Sequence, residues 1–504
     1  MFARGNRGYI FRFSFSLVLL LASALPSRSQ VLKVSPVLYP SGGQGAGNVV
    51  LADVNKDGKL DAIVPNNSGP IGILFGNGDG TFQKAVTYPA ASPGSGSIAV
   101  ADLNGDGWPD LAAVSADGTE TSSHVSVLLN KGDGTFNTAV GYAGGGSDGS
   151  SITVADVNGD GHPDLVLTNE CTSGLCRTGS LGVLLGNGDG TFGPVTTYPM
   201  EITPTGVVVA DLNNDGHPDL LVAESNSTEG LVTVMLNAGD GTFPTKVKYP
   251  SGGVAATSIM LADVNGDGKL DAIVTNAVFI ANQQSNGSVG VLLGNGDGTL
   301  KRAVAYATDI GAFSGATGDF NGDGAPDVVV TGGTPSDQTV QGYVEVLMND
   351  GHGKFRPATT KYSTRGLDAS SVAVANLNAD GNPDVVVSEC DGFQRTCPMG
   401  ALAVFLGKAD KTSTALTSST NPSSMGQAVT FTATVTAASG GPIPDGTTVT
   451  FLSSGKKIGS ATTTNGIATL TISSLAPGMD PVKASSSSSA FFIASSATLE
   501  QVVN

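Results

Sequence analysis

Asp156-Val157-Asn158-Gly159-Asp160-Gly161-His162-Pro163-Asp164 reads D-x-N-x-D-G-x-x-D, and variants of this pattern occur seven times in the chain. The copies start at Asp53, Asp102, Asp156, Asp211, Asp263, Asp319 and Asn376. Successive starts lie 49, 54, 55, 52, 56 and 57 residues apart. A period of this size marks a repeat architecture, in which each repeat is one supersecondary unit that buries its faces against its neighbours.

The chemistry of the nine-mer is that of a calcium loop. Ca²⁺ is a hard cation that takes six to eight oxygens around a tight Gly turn. Positions 1, 3, 5 and 9 supply side-chain oxygens, and position 7 supplies a carbonyl. The expected ligands are Asp53, Asn55, Asp57, Lys59 and Asp61 in the first loop, and Asp102, Asn104, Asp106, Trp108 and Asp110 in the second. Asp156, Asn158, Asp160, His162 and Asp164 form the third set, and Asp211, Asn213, Asp215, His217 and Asp219 the fourth. The fifth is Asp263, Asn265, Asp267, Lys269 and Asp271, and the sixth Asp319, Asn321, Asp323, Ala325 and Asp327. The seventh is Asn376, Asn378, Asp380, Asn382 and Asp384. It has one charge fewer and is expected to bind most weakly. Gly at position 6, as at Gly161, permits a turn that a Cβ would hinder. A metal-free Asp/Asn/Gly turn is the competing reading. Seven copies with the acidic spacing kept favour the metal.

Each nine-mer sits between apolar runs. GVVVAD (206–211) precedes one and DLLVA (219–223) follows it. A third run comes after a variable gap, as in VTVMLN (232–237). GNGDGTF (76–82) or a relative then makes a turn into a fourth segment ending near Tyr-Pro, as in TFQKAVTYP (81–89). Runs of four to six Val/Ile/Leu-rich residues bounded by Gly/Asp/Asn turns are strand signals, and near-continuous apolarity implies burial on both faces. Four short antiparallel strands per repeat, seven times, predict an all-β chain with a seven-bladed β-propeller. Repeat 7 ends at its third strand, ALAVFLG (401–407), whereas VLKVSPVLYP (31–40) resembles a fourth strand without a preceding third. The N-terminal stretch is therefore expected to complete the last blade and remove an open edge.

The unit strand–DxNxDGxxD–strand–strand–GDGTF resembles the FG-GAP (VCBS-type) repeats of secreted bacterial proteins, which are similar to the calcium-bearing blades of integrin α-chains. The resemblance covers residues 31 to about 407. It implies a seven-bladed propeller holding up to seven Ca²⁺ through the residues named above. Asn376 and the sixth turn, Asn349-Asp350-Gly351-His352-Gly353-Lys354-Phe355, depart from the pattern. The repeats imply less about activity, because the fold hosts unrelated functions.

Residues 1–29 read as a secretory signal. Arg4, Arg7 and Arg12 precede a short apolar core at 17–25, and small residues precede Gln30. That core is short for a membrane span. The predicted organisation is a signal peptide over 1–29, a propeller over 30–407, a Ser/Thr-rich linker and domain start over 408–424, and an Ig-like domain over 425–504. The last assignment rests on alternating segments such as AVTFTATVTA (428–437) and TTVTFLSSG (447–455), separated by Pro-Asp-Gly and Asn-Gly turns. They resemble bacterial Ig-like domains of secreted and surface proteins, which implies a spacer or attachment module. The serine run at 485–489 departs from that pattern.

Charge and cysteines agree with export. The formal charge is −18. Twenty of the 43 acidic residues sit in the nine-mers, so metal loops account for much of the acidity. Such a charge argues against nucleic acid or anionic membranes as partners. Cys171/Cys176 and Cys390/Cys397 are local pairs at the same place in two repeats. In an oxidising compartment they read as loop-stapling disulfides.

No catalytic constellation is visible. His162 and His217 occupy position 7 of metal loops, His352 lies in a turn, and His124 is alone in a variable loop. No HExxH or Walker motif occurs. Trp108, the only tryptophan, sits inside a metal loop, where packing is its expected role. Alternating strands place the metal loops and GDGTF turns on one face. The 2–3 loops, which vary in sequence (115–124, 168–180, 275–288, 388–400), fall on the other face. Variable loops on a rigid scaffold are where binding concentrates. Arg177, Phe279, Gln283, Phe393 and Arg395 are the candidates there. The reading is a secreted or cell-surface, monomeric adhesion or recognition protein for an extracellular glycan or protein. A polysaccharide-active enzyme and a structural matrix component are the alternatives.

Overall fold

The computed structural model describes residues 31–504, apart from 34, 68, 93, 117–121, 172–177, 227, 278–286, 337–338, 357–360, 392–398, 409, 438–442, 444 and 489–491. The predicted signal over 1–29 lies outside the described residues. So do Arg177, Phe279, Gln283, Phe393, Arg395, Cys176 and Cys397. Among the described residues the chain is all-β, with no helix.

Repeat 3 shows the plan. Ser147–Ala155, Asp164–Cys171, Ser180–Leu184 and Thr196–Pro199 form one antiparallel sheet in chain order. Repeats 1, 2, 4 and 5 build equivalent four-stranded sheets. The second strand is the most buried, as in Asp61–Pro65, where all five residues are buried. Its Val/Ile/Leu run lies between two neighbouring sheets, so neither face needs polar residues. The fourth strand is largely exposed, as in Thr196–Pro199. These sheets are propeller-like blades.

The cores lie between repeats rather than within them. Val54, Ile63, Ile71 and Ile73 of repeat 1 pack with Ile98, Leu111, Ala113 and Leu128 of repeat 2. Similar clusters fill the following joints. The series returns on itself: Ala62, Val64 and Leu74 of repeat 1 pack with Val386, Leu402 and Val404 of repeat 7. Each fully buried aliphatic side chain contributes about 1.5–3 kcal/mol relative to exposure.

Ring closure uses both ends of the repeat region. Val37–Pro40 pairs antiparallel with Met399–Phe405, placing Val37 opposite Val404 and Pro40 opposite Ala401. The Val31 and Leu32 amides donate to the Tyr362 hydroxyl at 3.0 and 3.3 Å. The N-terminal segment thus takes the place of the missing fourth strand.

Repeats 6 and 7 differ from the simple plan. Lys361–Ala375 is one continuous strand that pairs with Thr339–Asn349 through its first half and with Asp384–Asp391 through its second. The two repeats therefore share an eight-stranded sheet. Pro89, Pro199 and Pro250 follow the tyrosine in repeats 1, 3 and 4, whereas repeat 6 has Ser363. Repeats 2 and 5 carry Ala143 and Ala307 there and still form separate sheets, so the missing proline alone does not explain the merger. The divergent sixth turn still closes, with Phe355–Arg356 pairing back onto Met348 and Asn349.

The C-terminal domain is a sandwich of two four-stranded sheets. Val429–Ala437 alternates buried and less buried residues along its length. Phe431, Phe451, Val449, Val482 and Ala484 occupy its core. Asp410–Ser418 is one of its strands and pairs along its length with Val429–Ala437. Within the stretch expected to hold a linker and the start of the next domain, Asp410–Ser418 belongs to the sandwich. Ser485 and Ser486, in the serine run, continue the strand Gly478–Ser486.

Candidate metal loops

Every nine-mer connects the first strand of a repeat to the second. The loop is organised by its own carboxylates. In repeat 1, Asp53 Oδ1 accepts from the Asp57 amide (3.1 Å) and Oδ2 from the Gly58 amide (2.8 Å). Asn55 Oδ1 also accepts from Asp57 N (2.9 Å), and Asp57 Oδ1 accepts from Lys59 N (3.0 Å). Asp61 bridges outward: Oδ2 accepts from Val54 N (3.0 Å) and Oδ1 from Gly76 N, where the GDGTF turn begins (2.9 Å). The nine-residue loop and the GDGTF turn therefore lie side by side at one end of the sheet. The same bonds recur in repeat 3 at Asp156, Asp160 and Asp164.

Two turn positions need left-handed backbone. Position 6 is Gly throughout, with Gly161 at φ 84°. Position 4 is also left-handed in every loop. Gly105, Gly159, Gly266 and Gly322 suit it, whereas Lys56, Asn214 and Ala379 adopt it with a side chain. The sequence signal was present, since four of the seven residues at position 4 are Gly, but only position 6 was read from it.

The ninth-position aspartates are buried, among them Asp61, Asp110, Asp164 and Asp327. Burial pushes the carboxyls of Asp61 and Asp110 up to about 6 and that of Asp327 up to about 8. The carboxylates at positions 1 and 5 of the same loop push in the same direction. Three acids and an Asn amide thus concentrate oxygen donors and negative charge in nine residues. This all-oxygen set is the chemistry a hard divalent cation needs. Among the described residues no three acidic side chains converge into a ready-made cage. Many of their oxygens face backbone N–H groups, so the fit rests on the donor set. In loop 7, Asn376 makes none of the bonds that the first-position Asp makes elsewhere, while Asp380 and Asp384 keep theirs.

The remaining singled-out residues fall as follows. Trp108 receives Lys56 of the preceding loop over its ring, with Nζ 4.4 Å from the centroid, so it joins two loops. His124 lies in the strand Ser123–Leu128 and not in a loop, because its register with Ser115 extends the ladder. Cys171 ends a strand and is buried. Cys390 lies in Asp384–Asp391. What the sequence reading missed is a tyrosine joint. Tyr88, Tyr142 and Tyr198 meet Phe136, Phe192 and Phe243 of the next repeat edge to face. The recurrent Tyr and GDGTF Phe were its visible signal.

The FG-GAP-like repeat model matches residues 53–113, 102–167, 174–222, 211–274, 276–330 and 331–387, more than half of the chain. The chain belongs to the FG-GAP-like repeat family. In this FG-GAP-like chain, residues 416–504 match the bacterial Ig-like domain (group 3). Among solved structures, BBS1N in complex with ARL6DN is similar at 12% identity and a TM-score of 0.45, over 75% of this chain and 97% of that one. The V. cholerae biofilm matrix protein Bap1 is similar at 15% identity and a TM-score of 0.37, over 74% and 91%. At these identities and scores nothing about function transfers. Among the described residues no helix is long and apolar enough to cross a membrane.

Proposed function

We propose that this FG-GAP-like protein is an exported, calcium-stabilised, seven-bladed propeller that recognises an extracellular glycan or protein, with the Ig-like domain as spacer or attachment module. One observation carries the reading. The loops at one end of the sheets are nearly uniform and internally bonded, while those at the other end differ in every repeat. A closed ring that keeps one face constant and varies the other has the layout of a recognition scaffold. The uniform face would hold Ca²⁺ through positions 1, 3, 5, 7 and 9 of each loop. Export follows from the signal-like residues 1–29, and export in turn favours Cys171–Cys176 and Cys390–Cys397 disulfides. Free thiols in secreted material, seen by non-reducing peptide mapping, would refute the pairing.

The test is binding of the Ca²⁺-loaded protein to an array of glycans and matrix proteins, repeated after chelation. Selective binding that chelation abolishes is expected. Absence of binding to every array member would overturn the recognition reading and leave a structural role. Reducing-end release from a bound polysaccharide would replace recognition with catalysis.

A further inference from the structure

The first strands of all seven repeats surround one axial cavity of about 310 Å³. One register position supplies much of its wall. Ser97, Ser151, Ser258, Ser314 and Ser371 each stand opposite the residue four places after the ninth-position Asp. Asn48 supplies the same place in repeat 1, next to the Gly47 amide that bonds Pro65 O. In repeat 4 that place is Gly206, opposite Ala223. This level lies at the end of the sheets away from the metal loops, where the variable loops begin.

The residue before each of these positions does different work. The ladder slips just before Ser97, Ser151, Gly206, Ser258 and Ser371. At the slips, the Thr205 hydroxyl donates to Ala256 O of the next repeat at 3.0 Å and Thr257 to Ala312 O at 2.8 Å. Ser370 donates to Ala46 O at 3.3 Å, which closes the ring. Those hydroxyls join repeats and are occupied.

The wall hydroxyls retain hydrogen-bonding capacity. Ser151 and Ser371 only accept, from Val207 N at 3.4 Å and Val49 N at 3.3 Å, so each O–H remains a donor. Asn48 Oδ1 is a buried acceptor with no partner. A buried acceptor left unmatched is costly, so it favours a ligand that donates to it. Phe313 adds an aromatic surface to the lining, and among the described residues no charged side chain lines the cavity. Ligand pockets begin near 300 Å³.

We propose that this axial cavity binds one neutral, hydroxyl-rich ring, the terminal sugar of a glycan. The hydroxyls and amide match the sugar's O–H groups, and Phe313 offers an apolar surface for its C–H face. With no cationic side chain among the described wall residues, a neutral sugar is preferred to a sugar acid. This deepens the recognition reading and rests on it.

The test uses the full mature chain and a panel of methyl glycosides of neutral hexoses and N-acetylhexosamines, read by ligand-observed NMR and calorimetry. Gly206 is the place to block the cavity. An added Cβ there meets nothing nearer than 3.6 Å, and its φ is not left-handed. Gly206→Met should abolish binding of the panel sugar, whereas Gly206→Ser, which copies the other repeats, should retain it. Asn48→Ala should weaken binding about tenfold, and it keeps the inference testable if Gly206→Met fails to fold. No saturable binding of any glycoside by the wild type, meaning a column of water only, would overturn the inference. So would binding that Gly206→Met or Asn48→Ala leaves unchanged. If array binding persists in a folded Gly206→Met variant, recognition stands and the axial site falls.

Discussion

Tyr39 stands edge-on to Phe82, with ring centroids 5.7 Å apart and planes at 84°. Tyr39 belongs to the N-terminal strand that completes repeat 7, and Phe82 ends the GDGTF turn of repeat 1. The closing joint is therefore built like the joints between consecutive repeats, such as Tyr88 with Phe136 at 5.4 Å. Phe82 is nearly inaccessible. Phe82→Ala should destabilise the propeller by about 3–5 kcal/mol. A double-mutant cycle with Tyr39→Ala should give a coupling of about 0.5–1.5 kcal/mol, the worth of an aromatic pair beyond burial. Strictly additive effects in denaturant titrations would show that the rings do not act together.

The joints also alternate in a way that singles out three asparagines. Asn130 Nδ2 donates to Val54 O of the preceding loop at 2.9 Å and to Pro109 O at 3.0 Å. Its Oδ1 accepts from Gly132 N and Gly134 N. Asn237 and Asn349 reach Val157 O and Val264 O in the same way. Repeats 1, 3 and 5 carry Gly76, Gly186 and Gly294 there instead. A Cβ on Gly76 would lie 2.1 Å from Leu60 O. Asn130 is buried, so Asn130→Ala strands two carbonyls and two amides, at a cost of about 2–4 kcal/mol. A loss below about 0.5 kcal/mol in chemical denaturation would mean that water replaces the amide freely.

Much of this was legible in the sequence because the repeats restate it. Apolar runs such as DLLVA between Gly-rich turns dictate strands whatever their surroundings. The unpaired VLYP at 37–40 pointed to ring closure. What could not be read depends on three-dimensional register. Gly206 looks like any glycine until the sheets place it level with Ser151 and Ser371. The merging of repeats 6 and 7 has no single-residue signal, since repeats 2 and 5 also lack a proline after the tyrosine and stay separate. Where the linker ends and the Ig-like domain starts within 408–424 could not be read, because Thr and Ser serve loops and exposed strands alike.

The left-handed fourth position of the nine-residue loop gives a stabilising substitution. Ala379 has φ 56° and no side-chain interaction that would compensate. A left-handed alanine costs about 1–2 kcal/mol, and glycine removes that strain while losing some chain entropy. Ala379→Gly should therefore raise stability by roughly 0.5–1 kcal/mol, seen as a higher melting temperature. Gly159→Ala should lower it by a similar amount. Opposite signs would mean that loop entropy outweighs backbone strain.

Calcium should act as a folding ligand. A cation bound only by the folded chain stabilises it by about 2.7 kcal/mol per site at a hundredfold excess over Kd. The melting temperature should rise steeply with added Ca²⁺ and fall after chelation. Asn376→Asp restores the seventh loop's missing charge and should add to the bound metal measured by elemental analysis or raise the affinity of the weakest site. An unchanged melt after exhaustive chelation would falsify the metal assignment of all seven loops.

The pH dependence should carry the mark of Glu345. This carboxyl is buried in the third strand of repeat 6, where it accepts from the Asp309 amide at 3.0 Å. Burial pushes it up to about 7, and the nearby Asp309 carboxylate adds to the shift. A folded-state pKa above the unfolded value of 4.5 means that the folded chain holds this proton more tightly. The stabilisation is complete below pH 4.5 and is lost as pH rises through about 7. The loss is on the order of 2–3 kcal/mol. Glu345→Gln keeps an acceptor for the Asp309 amide and has no proton to lose. Its melting temperature should match the wild type near pH 5 and exceed it at pH 8. Parallel profiles for the two proteins across that window would show that Glu345 is charged, and satisfied, in the folded chain throughout.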